Sequence, residues 1–301
     1  MITYLQAIVI GLLQGITELF PISSLGHSVL VPAWLGGSWA QISATQHQAE
    51  SPYLAFLVGL HVATASALIL LFRRDWAAII RGLFTSVRRR EVAEPAQRLA
   101  WLIIIATIPA GLIGLGLEHY LRTLFAKPFQ AAVFLTLNGV ILALGEVLRR
   151  RAPAHRPVSD ADVAAAGVAD EADVAIAQQV SVRDATIIGI AQSAALLPGI
   201  SRSGITMVGG LLRGLTHEEA VRFSFLLATP IILAAGVYKI PDLIGPLGND
   251  IRGQVLAGSI AAFFGALFAA KFLERWFVSR TLIPFAVYCF IAGGISMVRF
   301  G

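Results

Sequence analysis

Six long apolar runs limit what this chain can fold into. They cover residues 54–72, 99–117, 129–148, 220–239, 253–273 and 282–298. Each run is close to the roughly 20 residues that a helix needs to cross the hydrocarbon core of a bilayer. Because 56% of the chain is hydrophobic and only 14% is charged, a secreted, disordered or disulfide-built protein is excluded. We predict an all-α, polytopic integral membrane protein.

Two further apolar regions, at about 2–33 and 184–215, are interrupted at their centres. The interruptions read FPISSLG (20–26) and PGISRSG (198–204). Each half is too short to cross a bilayer, and broken backbone at membrane depth is tolerated only where it lines a protein cavity. Each region is therefore predicted to form a re-entrant helix pair, which enters the bilayer, turns and leaves on the same side.

Arginines at the ends of the apolar runs predict the topology. Seven lie between Arg73 and Arg98, and four between Arg149 and Arg156. Loops rich in Lys and Arg face the cytoplasm, so these two loops are assigned to the inside and the N-terminus to the outside. Because the basic residues mark the ends of spans instead of one continuous face, the net charge of +5 does not indicate nucleic-acid binding.

A gapless shift of 178 residues superposes the two broken regions and indicates an internal duplication. Identical pairs include Ala7 and Ala185, Gly11 and Gly189, Gln14 and Gln192, Leu19 and Leu197, Ile22 and Ile200, Ser23 and Ser201, and Gly26 and Gly204. Three apolar runs follow each copy, and because three is odd the halves are predicted to have opposite orientations. The predicted fold is an inverted repeat with six transmembrane helices and two re-entrant helix pairs.

This duplication divides the chain into two repeats and a connecting segment. The first repeat is assigned to residues 1–151 and the second to 181–301. Residues 152–180 are rich in alanine and aspartate and are predicted to form an acidic cytoplasmic linker, because segments of such low hydrophobicity form no core. Deletion of residues 160–175 is expected to be tolerated.

Polar differences between the two copies indicate a site. Glu18, Ser24 and His27 align with Leu196, Arg202 and Ile205, respectively. A charged side chain at the bilayer centre costs at least about 2.5 to 3.5 kcal/mol, so Glu18 and Arg202 are expected to share a polar cavity. Arginine offers bidentate donors to phosphoryl oxygens, and a Gly/Ser turn that opens a helix presents free N–H groups. These residue types point to a phosphate ligand.

Helical spacing predicts which side chains accompany that ligand. Gln14 and Glu18 are four residues apart, on one face of the incoming helix, and Ser24 and His27 are three apart just past the turn. Two oxygen ligands, a nucleophile and a base are thereby expected around one point. His61 is a lone histidine within an apolar run, more often a packing residue, and is not included in the site.

Two signatures of the chain resemble those of a known family. QGITELFPISSLGH (14–27) and PGISRSGIT (198–206) are similar, in residues and in order, to those of the bacterial undecaprenyl pyrophosphate phosphatases of the bacitracin-resistance type. The first signature of that family allows Glu or Gln where Gln14 stands. Because the span pattern fits as well, the resemblance covers essentially the whole chain.

This resemblance implies an integral membrane phosphatase that hydrolyses undecaprenyl diphosphate to undecaprenyl phosphate and phosphate. The reaction recycles the lipid carrier for peptidoglycan and other envelope polymers and gives bacitracin resistance. A divalent cation is implied, Mg²⁺ with Ca²⁺ as the alternative, and so is a location in the bacterial inner membrane with the active site facing outward. The expected partners are the lipid substrate and the bilayer, and the sequence leaves a homodimer open.

Residue roles follow from the same resemblance. Glu18, with Gln14, is expected to bind the metal or to orient a proton acceptor. Ser24 is the expected nucleophile and His27 the general acid/base, while Ser23 or metal-activated water remain alternative nucleophiles. Arg202 is counted as catalytic and also holds the diphosphate. The residues expected to bind the substrate are Ser23, Ser201, Arg202, Ser203 and Thr206.

Two other functions fit parts of the pattern. Inverted repeats with broken helices are also the architecture of alternating-access carriers, so a polyprenyl-phosphate flippase or transporter is the alternative. The type-2 phosphatidic acid phosphatases act on lipid phosphates and have a Ser-Arg-x₅-His signature. Here Val208 stands where that histidine is required, which excludes the latter family.

Overall fold

The computed structural model describes residues 2–44, 52–125, 127–155, 157–159, 163, 170–245 and 251–301. Within these ranges the regular secondary structure is helical and includes no strand. The α-helices are α1 (Tyr4–Leu19), α2 (Ser24–Leu35), α3 (Gly37–Ala44), α4 (Pro52–Leu71), α5 (Arg73–Arg89), α6 (Pro95–Phe125), α7 (Pro128–Leu148), α8 (Glu171–Gln179), α9 (Val182–Gln192), α10 (Arg202–Leu211), α11 (His217–Ile244), α12 (Arg252–Phe277) and α13 (Ile283–Phe300). Short 3₁₀ helices cover Arg149–Arg151 and Ser193–Leu196.

Five helices of the described chain are long and apolar enough to cross a bilayer. These segments are Pro95–Leu117, Pro128–Arg151, His217–Tyr238, Arg252–Phe277 and Ile283–Phe300. They coincide with five of the six predicted spans. The sixth predicted span lies in α4, a helix of 20 residues, of which Gly59–Leu71 is a shorter apolar segment. The prediction of an all-α, multi-pass membrane protein is confirmed.

Both broken regions fold into two short helices separated by a turn, and their first helices begin in the same way. Thr3 caps α1 in a capping box with Gln6, and Ser181 caps α9 in a capping box with Asp184. Such boxes satisfy N–H groups that an α-helix leaves unpaired at its start. The two boxes occupy positions that the 178-residue shift superposes.

Helices of the two halves pack against each other in matching pairs. α1 lies against α12, and α9 lies against α6. A Cβ atom added at Gly11 of α1 would lie 2.1 Å from the carbonyl oxygen of Gly258. One added at Gly189 of α9 would lie 2.4 Å from that of Ala106. The equivalent glycines therefore allow equivalent close helix contacts, while the opposed orientation of the halves in a bilayer stays a prediction.

Part of the predicted linker is a buried helix. Val174 and Ile176 of α8 have no exposed surface, and neither has Asp173. The carboxylate of Asp173 accepts a hydrogen bond from Arg222 Nε of α11 at 2.6 Å. The prediction of a solvated linker is wrong for residues 170–180, because an aspartate that suggested solvation pairs with an arginine 49 positions away. Residues 156, 160–162 and 164–169 of the predicted linker lie outside the described residues.

Candidate active site

The first turn (residues 20–26) and the second turn (residues 198–204) are joined by hydrogen bonds. Ser23 Oγ accepts one from the Gly199 N–H at 3.1 Å, and Ser203 Oγ donates one to the carbonyl of Phe20 at 2.9 Å. Asn138 of α7 bridges the two turns, because Nδ2 donates to the Pro21 carbonyl and Oδ1 accepts from the Ser201 N–H, both at 2.9 Å. The two turns therefore form one unit despite their separation in sequence.

Packing of the second turn against α7 requires glycine at position 199. Gly199 has a φ of +116°, which L residues rarely adopt. A Cβ atom there would lie 2.5 Å from the Ala131 carbonyl oxygen of α7, so both conformation and space require glycine.

Each turn contains a serine that caps the following helix. Ser23 Oγ accepts from the N–H of Gly26 at the start of α2, and Ser201 Oγ accepts from the N–H of Gly204 at the start of α10. An α-helix N-terminus carries unpaired N–H groups and a partial positive charge, which favour an anion. The two turns thus direct two such termini toward the same region.

Glu18 is the centre of the polar cluster beside the turns. Its Oε1 lies 2.9 Å from Arg202 Nη2, and its Oε2 accepts hydrogen bonds from Gln14 Nε2 at 2.9 Å and Ser24 Oγ at 2.5 Å. The side chains of Glu18 and Arg202 are only 8% and 12% exposed, and Ser24 is partly buried. The structure therefore brings Gln14, Glu18, Ser24 and Arg202 together, and Glu18 is in position to accept the Ser24 proton.

One donor of Arg202 has no hydrogen-bond partner in the part of the chain that the structure describes. Among the residues that the structure describes, the buried Nη1 of Arg202 makes no hydrogen bond. An unpaired buried donor costs about 1 to 3 kcal/mol, and more when it is charged. Because guanidinium groups bind phosphoryl oxygens through two nitrogens, this atom is suited to receive an anionic oxygen beside Ser24.

The hydrogen-bond partners of His27 are not members of this cluster. Its Nδ1 donates to the Ser23 carbonyl at 2.7 Å, and its Nε2 lies 2.7 Å from the hydroxyl of Tyr288 in α13. The two rings are stacked, with centroids 5.7 Å apart, and both line a separate, mainly apolar cavity of about 170 Å³. Within the described chain no hydrogen bond joins His27 to Ser24, because His27 bonds to Ser23 and Tyr288 while Ser24 donates to Glu18.

Four predicted substrate-binding hydroxyls have protein partners. Ser23 Oγ accepts the two N–H bonds described above, and Ser201 Oγ lies 2.9 Å from Ser203 Oγ. Thr206 Oγ1 donates to the carbonyl of Arg202 at 3.0 Å. All four residues are at most 3% exposed. These hydroxyls hold the turns and α10 together, whereas Arg202 Nη1 has no such partner in the described ranges.

Sequence reasoning missed two residues of this region. His61 of α4 places Nε2 at 3.3 Å from Gln14 Nε2 and at 3.8 Å from Glu18 Oε2. Asn138 bridges the turns and is fully buried. Both are strongly polar residues inside predicted spans, and such residues are functional candidates by default. Their position inside apolar spans was therefore sufficient reason to include both residues among the predicted site residues.

The residues of this site could supply only some of the ligands of a divalent cation. Among the described residues, no group of three or more His, Cys, Asp and Glu side chains is placed to hold a metal ion. Mg²⁺ is commonly bound by one or two carboxylates together with substrate phosphates and water. The carboxylate of Glu18 and the amide oxygen of Gln14 match that donor chemistry, provided that the substrate completes the coordination.

Comparisons with known proteins agree on one family. Residues 7–295 match the family described as Bacitracin resistance protein BacA. The chain is 59% identical to proteins named undecaprenyl-diphosphatase from Mycolicibacterium paratuberculosis and Mycobacterium avium, over 99% of this chain and 97% of each relative. It is also 52% identical to undecaprenyl-diphosphatase 2 of Frankia alni, over 99% of this chain and 98% of that protein.

Proposed function

The chain belongs to the bacitracin resistance protein BacA family, and on that premise we propose that it is a membrane phosphatase acting on undecaprenyl diphosphate. The products are undecaprenyl phosphate and inorganic phosphate. One observation carries the proposal: the buried Nη1 of Arg202, which has no partner among the described residues, accompanies a serine hydroxyl that is hydrogen-bonded to a carboxylate. A phosphate-binding donor, a nucleophile and a proton acceptor are then available together.

The first chemical step uses Ser24 as the nucleophile. Its Oγ attacks the terminal phosphorus while its proton passes to Glu18 Oε2, with which it is already hydrogen-bonded. The bond from that phosphorus to the bridging oxygen breaks, and undecaprenyl phosphate leaves. Water then attacks the phosphoserine, which releases phosphate and restores Ser24. Direct attack by water on the diphosphate is the alternative route.

Charge neutralisation supports this step, because phosphoryl transfer gains mostly from positioning and electrostatics. Arg202 keeps Nη2 on Glu18 and donates Nη1 to a phosphoryl oxygen. The N-termini of α2 and α10 add partial positive charge. Mg²⁺ held by Gln14 and Glu18, with Ca²⁺ as the alternative, would neutralise further charge on the diphosphate. The acid/base role expected for His27 is assigned instead to Glu18.

The wider role follows from the family. We propose that the enzyme recycles the lipid carrier for peptidoglycan and other envelope polymers and thereby gives bacitracin resistance. Residues 1–151 and 181–301 would be inverted repeats in the bacterial inner membrane, with the site facing outward. The flippase alternative gains no support from the comparisons, because the three relatives described above are named for hydrolysis.

Phosphate release from undecaprenyl diphosphate by the purified protein in detergent tests the proposal. Wild type is expected to release phosphate with Mg²⁺ and not with EDTA. Arg202→Ala is expected to lower the rate by roughly 10³-fold or more, as for arginines that stabilise transferring phosphoryl groups. Folded wild type that binds the lipid and releases no phosphate would instead favour a carrier.

A further inference from the structure

His61 contacts the catalytic cluster but has no assigned part in it. Its Nδ1 lies 2.8 Å from the carbonyl oxygen of Leu57, and its side chain is 31% exposed. A carbonyl oxygen only accepts hydrogen bonds, so Nδ1 carries the hydrogen. In the neutral ring the other nitrogen, Nε2, is then an acceptor. This nitrogen points toward Gln14.

The amide of Gln14 faces two acceptors with the same nitrogen. Nε2 of Gln14 lies 2.9 Å from Glu18 Oε2 and 3.3 Å from His61 Nε2. A carboxylate only accepts, so the atom of Gln14 that faces Glu18 has to be the nitrogen. Each of its two hydrogens therefore has one acceptor, and the amide oxygen points away from both.

We propose that His61 is a positioning residue, which holds the amide oxygen of Gln14 toward the diphosphate and its cation while Glu18 carries the Ser24 proton. The proposal rests on the proposed function. Before proton transfer, the bond to the Glu18 carboxylate is sufficient to orient the amide, with or without His61. After transfer, Glu18 Oε2 bears a hydrogen, and the amide would gain by turning its oxygen toward that group. His61 Nε2 prevents the turn, because its lone pair would then face the amide oxygen.

The kinetic test separates orientation from packing. His61→Ala is expected to lower kcat about tenfold, the effect of one hydrogen bond, with little change in KM, because the contact matters only after proton transfer. His61→Gln restores an acceptor and should keep kcat within about threefold. The matched control is Thr64→Ala, one turn along α4, where a buried hydroxyl donates to the Leu60 carbonyl.

A second background makes the test specific for the amide. In Gln14→Glu the two side-chain oxygens are equivalent, so no orientation has to be held, and adding His61→Ala should change kcat by less than about twofold. An equal loss from His61→Ala in both backgrounds would overturn the proposal. So would a loss in His61→Gln as large as that in His61→Ala, or an equal loss in Thr64→Ala.

Binding provides a readout that needs no turnover. Glu18→Gln imitates the protonated carboxyl, so His61 becomes the main acceptor that orients Gln14. Mn²⁺ binding in the presence of a methylene-bridged prenyl diphosphonate, followed by electron paramagnetic resonance, should weaken about tenfold when His61→Ala is added to Glu18→Gln. Added to wild type, the same substitution should leave binding unchanged. Equal effects in the two backgrounds contradict the proposal, whereas a wild type without phosphatase activity contradicts only the proposed function.

Discussion

The first turn and the second turn are built from the same pattern and held in the same way. Each has a serine that caps the next helix through the N–H three residues further on. At the following position the two copies differ, with Ser24 in one and Arg202 in the other. The residues shared by the copies form the backbone scaffold, whereas the residues that differ carry the hydroxyl and the charge. A symmetric scaffold thus supports an asymmetric site.

The largest effect is expected where the turns differ. Ser24→Ala removes the hydroxyl that donates to Glu18, and phosphate release should fall by roughly 10⁴-fold or more, as for other nucleophiles. Ser28→Ala is the matched control, because this hydroxyl of the same helix donates to the Leu25 carbonyl. Activity of Ser24→Ala within about tenfold of wild type would favour direct attack by water.

The aligned position in the second turn tests the guanidinium. Arg202→Lys keeps a positive charge for Glu18 but loses the second donor, Nη1, which has no partner in the described chain. We expect kcat/KM to fall about 10²-fold, since a lysine cannot reproduce bidentate binding. Arg213→Lys serves as the control, because Arg213 pairs with Asp184 at 40% exposure. Unchanged kinetics in Arg202→Lys would remove Nη1 from the diphosphate site.

Much of this comparison could be predicted from the sequence. The apolar runs determine the spans, and the 178-residue shift aligns the capping serines and the close-contact glycines. Gln14 and Glu18 share a helix face because they are four residues apart. The pairing of Glu18 with Arg202 was also predictable, because neither charge is tolerated alone at membrane depth.

Contacts between distant segments were not predictable from spacing. Ser24 and His27 are three residues apart, yet the imidazole bonds to Tyr288, which is 261 positions away from it. Ser24 is the first residue of α2, and its hydroxyl reaches back to Glu18. The prediction for Asp173 was wrong for the same reason, because the composition around it is that of a solvated segment and its partner lies in α11.

A cluster of one arginine and three aspartates connects α5, α8 and α11. Arg222 lies 3.1 Å from Asp75 Oδ2, 3.0 Å from Asp170 Oδ2 and 2.6 Å from Asp173 Oδ1. Burial raises the pKa of Asp173 to about 6, with added repulsion from Asp75 and Asp170, although Arg222 opposes the rise. Burial likewise raises the pKa of Asp75. One guanidinium therefore does not compensate three ionised carboxylates.

Because the pKa of Asp173 is higher in the folded state, its protonated form favours folding. This contribution is complete below about pH 3.8 and is lost as the pH rises through about 6. The free energy of unfolding in detergent, measured by denaturant titration at both pH values, should therefore fall from pH 5 to pH 7, and Asp173→Asn should reduce that fall by about 1 kcal/mol. Glu171→Gln, an exposed change in the same helix, should keep the wild-type slope. An unchanged slope in Asp173→Asn would assign the dependence to another group.

The smallest effect distinguishes the two capping serines. Ser23 has a φ of +69°, whereas the aligned Ser201 has a φ of −94°. Left-handed backbone costs an L residue roughly 1 to 2 kcal/mol, and glycine avoids this cost. Glycine is also the better N-cap than alanine, so the glycine variant should be more stable than the alanine variant at both positions.

The size of that difference should depend on the turn. At each position the measured quantity is the free energy of unfolding of the glycine variant minus that of the alanine variant. We expect this difference to be about 1 kcal/mol larger at Ser23 than at Ser201. Denaturant titration of the four variants in one detergent measures both differences, and removal of the serine hydroxyl cancels within each pair because both variants lack it. Equal differences at the two positions would mean that the first turn relaxes when Ser23 is replaced. The scaffold would then be more symmetric than its backbone angles indicate, since the positive φ of Ser23 is what distinguishes it from the aligned Ser201.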